Sequence, residues 1–198
     1  MAPPRKHPTD TILDAARGLT LAGGPRAASV AAIAVASGAP VGTLYHRFGT
    51  RDGILAATWL RALTRFQELA LAADAVHPDE PVQAGVAMAR AAIAFARAQP
   101  EDARLLLVVR RDDLLDHAID PALQPRLAAM NAPLEAAVRR IARALAGRAD
   151  ARALEAVTRA VVDVPTAAVR RHAGALPPWL EDDVADAAGR LLEAIARR

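Results

Sequence analysis

The sequence predicts an all-α protein, and three observations support that fold class. Hydrophobic residues make up 53% of the 198 residues, and much of this share is Ala and Leu, which favour helices. Aromatic residues, which favour strands, make up only 3%. Short groups rich in Pro and Gly divide the chain into segments of helical length. We therefore expect about nine helices.

The composition also narrows the function classes. The absence of Cys excludes disulfides, thiolate metal sites and Cys nucleophiles. No apolar stretch typical of a signal peptide follows the basic start of the chain, and the apolar run 30–36 is too short to span a bilayer. We expect a cytoplasmic protein without a membrane partner. Because the net charge is only +3, the position of the cations matters more for an anionic partner than their number.

The first segment predicts a basic arm followed by an amphipathic helix. Residues 1–8 hold three Pro together with Arg5 and Lys6, which is typical of a mobile terminal arm. A helix should begin near Thr9 or Asp10, because either side chain can cap it. Its apolar stripe has the spacing i, i+4 and i+7 and consists of Ile12, Ala16 and Leu19.

The next two segments predict a helix-turn-helix. Ser29 can cap a helix over 30–37, and Gly38 can end it in the left-handed conformation. Pro40 suits the first turn of a third helix, since its missing N–H would be unpaired there. Thr50 can cap a fourth helix that runs to about residue 73. Two short helices joined by a tight turn that contains Gly are typical of the motif.

The third helix has the side chains that a helix in the DNA major groove needs. Val41, Leu44 and Phe48 are predicted to form its buried stripe. A narrow helix flanked by cations and hydrogen-bond donors can enter the groove and hold phosphates. The side chains left for this task are Thr43, Tyr45, His46 and Arg47, with Arg51 in the first turn of the next helix. The alternative is a three-helix tip whose polar side chains merely face water.

The remaining sequence predicts longer helices without an internal repeat. Pro100 suits a first helical position, and Pro165 should kink the helix that contains it. The predicted helices cover 81–98, 100 to about 115, the stretch after a turn at 120–125 to about 145, about 151–173, and 179 to the C-terminal end.

The segment "ILDAARGLTLAGG…SVAAIAVASGAPVGTLYHRFGTRDGIL", at 12–55, resembles the N-terminal domain of the TetR (tetracycline repressor) family. Its most telling part is "GTLYHRF" followed by a turn, Arg51 and Asp52. The resemblance implies a DNA-binding domain at 1–53 that includes the basic arm, and a helical ligand-binding and dimerisation domain at 54–198. It also implies a homodimeric repressor that binds a palindromic operator on double-stranded DNA and is released by a small-molecule effector.

The sequence departs from the family pattern where the family commonly touches DNA. Charged residues usual in the second helix are replaced by Ala31, Ala32 and Val35, and a Ser-Lys pair by Pro40-Val41. One hypothesis is that Val41 and Ala31 contact thymine methyl groups while DNA shape adds specificity. The other is that specific DNA binding is weak. The predicted DNA-binding residues are Ala31, Val41, Gly42, Thr43, Tyr45, His46, Arg47 and Arg51.

The resemblance further implies that the last two helices pair with those of a second copy. The alternative is that their apolar faces are buried inside one chain. The predicted interface residues are Leu154, Val157, Val161, Val164, Trp179, Val184, Leu191 and Ile195. The helices from 81 to 145 would enclose a ligand, although residues of each of these types are more often plain core. The predicted ligand-contacting residues are Met88, Phe95, Leu106, Val109, Arg110 and Met130.

The sequence does not favour an enzyme. Asp113 and His117 have an i, i+4 spacing that can hold a metal, but there is no His-Glu-x-x-His motif and no Gly-rich phosphate loop after a strand. We therefore predict no catalytic residues, no metal site and no cofactor. An all-helical interaction or ligand-binding protein with weak or no specific DNA binding stays open as the alternative function.

Overall fold

The computed structural model describes residues 8–109, 124–172 and 174–197, and within these ranges all regular structure is helical. Among the described residues, no helix combines the length and the apolar character needed to cross a membrane. The predicted all-α fold is thus confirmed. The helices are α1 (Thr9–Gly23), α2 (Val30–Ser37), α3 (Val41–Phe48), α4 (Arg51–Ala75), α5 (Pro81–Ala98), α6 (Pro100–Val108), α7 (Gln124–Ala129), α8 (Ala132–Ala146), α9 (Ala151–Thr158), α10 (Val164–Arg171) and α11 (Leu180–Ala196).

The fold divides into two compact units. The N-terminal unit contains the described residues of Met1–Leu63 and Glu101–Met130, and the C-terminal unit contains those of Thr64–Pro100 and Asn131–Arg198. The division falls inside α4, after the first residue of α6, and between α7 and α8. The functional boundary after residue 53 stays a prediction.

The core of the N-terminal unit forms where α1, α2, α3 and the start of α4 meet. Its central residues include Ile12, Ile33, Leu44 and Ile54, each at most 1% exposed. Val41, in contrast, is 43% exposed, so its predicted place in the buried stripe is wrong. Val41 is the first residue of α3, and helical side chains lean toward the N-terminus, so this one projects beyond the helix end instead of over a preceding turn.

The local signals that bound these helices act largely as predicted. The Ala32 N–H donates to Ser29 Oγ at 3.1 Å, and the Gly53 N–H donates to Thr50 Oγ1 at 3.0 Å. Gly38 ends α2 in the left-handed region with φ 67°. The predicted cap of α1 is wrong, because Pro8 is the capping residue and makes no side-chain cap hydrogen bond.

In the C-terminal unit, α5 packs closely against α11. A Cβ atom placed on Gly85 would lie 2.6 Å from Leu192 Cδ1 and 3.3 Å from Val161 Cγ1. The missing side chain therefore lets the two helices approach each other over a buried layer of apolar residues. Buried residues of this unit include Met88, Ile93, Phe95, Val157, Val161, Val184 and Leu192.

Two helices differ from their predicted course. The predicted helix up to about 145 is broken at 130–131, where α7 ends and α8 begins with Pro133 in its first turn. The predicted helix over about 151–173 contains a wider π-helical turn at Arg159–Asp163, ahead of Pro165, and the kink itself stays a prediction. There the Val164 N–H donates to Arg159 O, five residues back, and this turn directly precedes the residue that lacks an N–H.

Candidate nucleic-acid interface

The exposed surface of the helix-turn-helix is unusually apolar. Ala31 and Val35 lie one turn apart on α2, and Val41 and Tyr45 lie one turn apart on α3. Val35 is 86% exposed and Tyr45 is 52% exposed. We call these four residues the reading face. The exposure of Ala31 and Val35 follows from the burial of Ile33, which turns the opposite side of α2 to solvent, whereas Val41 projects beyond the start of α3.

Val35 is the residue of this face that was not among the predicted DNA-binding residues. Helix α2 is apolar all round, so no periodicity in its sequence separates the buried side from the exposed side. The signal that could have found Val35 is its i+4 spacing from Ala31, which was predicted to touch DNA.

Polar side chains line a depression of about 690 Å³ beside the reading face. His46 is exposed, and Thr43 and Arg47 are partly buried. The depression also reaches Thr9, the first residue of α1, where backbone N–H groups and the positive end of the helix dipole favour anions. This anion depression can therefore accept a phosphate oxygen. Its lining residues are Thr9, Gly42, Thr43, His46, Arg47 and Phe48.

Arg51 has other partners in the structure than the predicted phosphate. Its Nε donates to Ala28 O at 3.1 Å, and its guanidinium also donates to Pro25 O and to Asp52 Oδ1. Ala28 and Pro25 belong to the connection between α1 and α2. Arg51 therefore holds this connection against the first turn of α4, and its contact with DNA stays a prediction without support from this geometry.

An ion-pair network fixes α1 in the N-terminal unit. Arg61 of α4 donates to Asp10 at 2.9 Å and to Asp14 at 2.6 Å. Arg17 of α1 donates to Asp102 of α6, whose side chain is 1% exposed, and pairs with Glu101 at 2.6 Å. Helix α1 contributes Thr9 to the lining of the anion depression, so this network positions the helix that carries Thr9.

The charge state of Arg17 follows from its partners. Burial by itself lowers the pKa of the guanidinium, but the hydrogen bond and negative charge of Asp102, with the charges of Glu101 and Asp14, outweigh burial. The net result is a pKa raised above its already high ordinary value. Arg17 is therefore a permanent cation inside the unit. The sequence did not reveal this pair, since its partners are 85 positions apart.

The predicted ligand-contacting residues are divided between the two units. Met88 and Phe95 are buried in the C-terminal unit, where the Phe95 ring lies 5.6 Å from that of Phe66. In the N-terminal unit Met130 is buried and Leu106 is partly buried, while Val109 lines a cavity of about 500 Å³. Arg110 lies outside the described residues, as do Arg5 and Lys6 of the basic arm.

The predicted dimer residues also fall into two groups. Val157, Val161, Val184 and Ile195 are buried within their own chain, as the alternative of an intrachain core expects, and their interface role stays a prediction. They have almost no accessible surface left for a partner to cover. Leu154, Val164 and Leu191 are partly buried, and Trp179 is 53% exposed.

Within the described ranges, no three side chains of the metal-ligating types lie together. The candidate pair Asp113 and His117 lies outside these ranges. The interface described above can therefore act through hydrogen bonds, charge and apolar contact, and each of these suits a nucleic acid.

Comparison with known proteins agrees with this geometry. The sequence profile "Bacterial regulatory proteins, tetR family" matches residues 12–58. No curated protein matches the chain in sequence.

Among solved structures, the TetR-family transcriptional regulator PfmR from Thermus thermophilus is similar, with a TM-score of 0.70 at 24% identity over 93% of this chain and 95% of that one. The fatty acid degradation regulator FadR from Bacillus halodurans has a TM-score of 0.69 at 16% identity, over 93% and 98% of the two chains. FadR from Bacillus subtilis, solved with stearoyl-CoA, has a TM-score of 0.64 at 14% identity, over 96% and 98%. Residues 12–58 therefore match the profile of the TetR family of bacterial regulatory proteins, and the chain has the fold of the solved TetR-family regulators.

Proposed function

We propose that the protein is a cytoplasmic, homodimeric repressor that binds a palindromic operator and is released by a small molecule. The family and the fold point to a transcription regulator rather than an enzyme. The observation that carries the proposal is the exposed reading face beside the anion depression. The first offers apolar contact with base edges, and the second offers a place for a phosphate.

The reading face favours recognition by apolar contact. Of its four residues, Ala31, Val35 and Val41 offer no side-chain hydrogen bond to a base. In the major groove, the thymine methyl group is the feature that an apolar side chain can recognise. We therefore expect an operator with thymines opposite these residues, read together with the local shape of the DNA. The Tyr45 hydroxyl can donate to a phosphate.

Binding to DNA is tested first by a salt series. Anisotropy of labelled duplexes would compare DNA from upstream of the protein's own gene with random DNA. We expect binding that weakens with salt because phosphate contacts release counterions, and that is tighter for the upstream DNA. Absence of binding at low salt would contradict the proposal and favour the interaction protein. Salt-dependent binding without sequence preference would show that specific recognition is weak.

Arg47→Ala should weaken binding to all duplexes alike and reduce the salt slope by about one, because one phosphate contact is lost. The matched control is Arg139→Ala, which removes an exposed Arg on α8 in the C-terminal unit. Anisotropy titrations at several salt concentrations measure both slopes. If Arg47→Ala changed the affinity for one sequence only, the phosphate role would be wrong.

Replacing individual operator thymines by uracil removes only the methyl group. At a thymine that contacts the reading face, we expect a loss of about 0.8 kcal/mol, roughly fourfold in Kd. The operator for this test is first obtained by selection from random duplexes. Val41→Ala should abolish the effect of uracil at the one position that Val41 contacts. Unchanged affinity at every position would refute recognition through methyl groups.

The short length of α3 supports the proposed homodimer. Helix α3 has 8 residues, so one copy contacts few base pairs, whereas two copies one DNA turn apart can read a palindrome. An interface in the C-terminal unit would be formed by the predicted interface residues that keep accessible surface: Trp179, Leu154, Val164 and Leu191. An exposed Trp is a typical anchor of such interfaces.

Trp179→Arg is expected to convert the dimer to a monomer, because it places a charge at the centre of an apolar contact. Sedimentation velocity measures the mass. Val76→Arg is the matched control, since Val76 is 70% exposed in the same unit and was not assigned to the interface. A Trp179→Arg protein that stayed dimeric, or a parent protein that was monomeric, would contradict this assignment.

Release by an effector would be a population shift, in which the ligand favours a dimer whose two α3 helices no longer match the groove spacing. The FadR structure from Bacillus subtilis contains stearoyl-CoA. At 14% identity this similarity shows only that the two chains share a fold. The chemical class of the effector for this chain has to be measured.

A further inference from the structure

The N-terminal unit contains a cavity that the proposed DNA interface does not use. Its volume is about 500 Å³, which lies in the range of small-molecule sites. It is bounded by the end of α1, the short turn Pro25–Ala27 that leads to α2, the first part of α4, and α6. We call it the connector cavity. Its lining residues are Thr20, Gly23, Gly24, Pro25, Arg26, Arg51, Asp52, Leu55, Thr58, Trp59, Leu105 and Val109.

The inner wall of the connector cavity is apolar in effect. Leu55, Leu105 and Val109 contribute aliphatic surface. The polar atoms of this wall are already satisfied: Thr58 Oγ1 donates to Ile54 O at 2.7 Å, and Trp59 Nε1 donates to Val109 O at 3.1 Å. Thr20 Oγ1 likewise donates to Ala16 O at 2.8 Å. A ligand in contact with this wall therefore needs an apolar body.

The exposed side of the connector cavity carries two Arg side chains. Arg26 is exposed, and it makes no ion pair or side-chain hydrogen bond within the described ranges. Of the five N–H donors of Arg51, three are used by Ala28, Pro25 and Asp52, so two remain. Asp52 offsets one of the two positive charges. The net charge of +1 matches a single negative charge on a ligand.

We propose that the connector cavity binds a small amphiphilic monoanion, with an apolar body of about a dozen non-hydrogen atoms against the inner wall and its anionic group at Arg26 and Arg51. This site lies in the N-terminal unit, and it shares Val109 with the predicted ligand-contacting residues. An anion at the two remaining donors of Arg51 shares this guanidinium with the carbonyls of Pro25 and Ala28, so the anion and the connection that leads into α2 are coupled through one side chain. Occupation therefore lowers DNA affinity, a consequence that rests on the proposed function.

The binding step can be measured without DNA. The chain has two Trp, so Trp179→Phe leaves Trp59 in the cavity wall as the single fluorophore. The probe is 10-bromodecanoate, whose bromine quenches Trp fluorescence on contact. We expect saturable quenching, and at least about fivefold weaker binding of the uncharged 10-bromodecan-1-ol, because the charge-assisted hydrogen bonds are lost.

Variants locate the probe. Arg26→Gln should weaken 10-bromodecanoate binding by about fivefold, while Arg139→Gln, the same change on an exposed Arg of α8, should leave it unchanged. Val109→Phe should weaken quenching, because the added ring narrows the cavity beside Trp59. Circular dichroism of each variant checks that the fold is kept.

Three results would overturn the site: quenching that does not saturate, equal affinity for the acid and the alcohol, or equal quenching of Trp179 in the Trp59→Phe variant. The effect of the probe on DNA binding is measured separately. If 10-bromodecanoate binds and the Kd for DNA does not rise, the regulatory consequence is wrong although the site stands. If the protein binds no DNA in the salt series, the proposed function fails whether or not Trp59 is quenched.

Discussion

Gly53→Ala is expected to unfold the helix-turn-helix, with a loss of about 3 kcal/mol or more in the free energy of unfolding. A Cβ atom on Gly53 would lie 2.1 Å from Phe48 O, a backbone atom at the end of α3. A flexible side chain could move aside, but this carbonyl also accepts the Thr50 N–H at 2.7 Å. The end of α3 would have to shift, and it carries the buried Phe48 with it.

Urea unfolding followed by circular dichroism measures the loss, and anisotropy should show that DNA binding falls with it. The control is Gly18→Ala on α1, where no atom lies within 4 Å of the new Cβ. That variant should be more stable by about 0.5–1 kcal/mol, since Ala favours helices over Gly. A Gly53→Ala protein as stable as Gly18→Ala would show that the junction of α3 and α4 can rearrange at little cost.

Arg17→Leu is expected to cost about 3–5 kcal/mol, because it leaves the carboxylate of Asp102 buried without its cation. The Asp102 side chain is 1% exposed and that of Arg17 is 13% exposed, so solvent cannot replace the lost partner. The side chains of Glu101 and Asp14 are at least half exposed, so their ion pairs with Arg17 contribute little to the loss in the free energy of unfolding. Because Asp102 belongs to α6 and Arg17 to α1, the variant should also weaken DNA binding through a displaced α1.

The control for this prediction is Arg159→Leu, which breaks an exposed pair with Glu155 one helical turn away. It should cost at most about 0.5 kcal/mol. Because the pKa of Arg17 is raised, its stabilisation is complete below the ordinary pKa of the guanidinium and is lost as the pH rises from there through the raised pKa. The titration of Arg17 therefore adds no pH dependence in the neutral range. If urea unfolding showed equal losses in the free energy of unfolding for Arg17→Leu and Arg159→Leu, the buried pair would contribute no more to stability than an exposed one.

Much of the site could be predicted because its signals are local. The cap at Ser29, the left-handed Gly38 and the cap at Thr50 each depend on atoms within a few residues. They fix where α2 begins and ends and where α4 begins. The burial of Leu44 followed from the helical period, so the exposure of Tyr45 and His46 could be anticipated.

Other parts of the site depend on contacts that no local pattern encodes. Arg51 was predicted to hold a phosphate because it is a cation at a helix start, but two backbone carbonyls from the connection between α1 and α2 are its partners. Helical period could not separate Val35 from a core residue within an apolar helix, although the family resemblance places it where DNA is commonly touched. Val157 and Val161 have the apolar spacing of an interface and of a core alike, and packing within the C-terminal unit placed them in the core.

The sequence by itself determined the helical class, the position of the helix-turn-helix and the exposure of Tyr45 and His46, because capping, turn formation and helical period act over a few neighbouring residues. Tertiary structure alone decided that Arg17 meets Asp102, that Arg51 turns inward, and which apolar faces remain exposed. These outcomes depend on which surfaces meet after residues far apart in the chain are brought together. The arrangement that forms is the one that lowers the exposed apolar area and the number of unpaired charges over a whole unit.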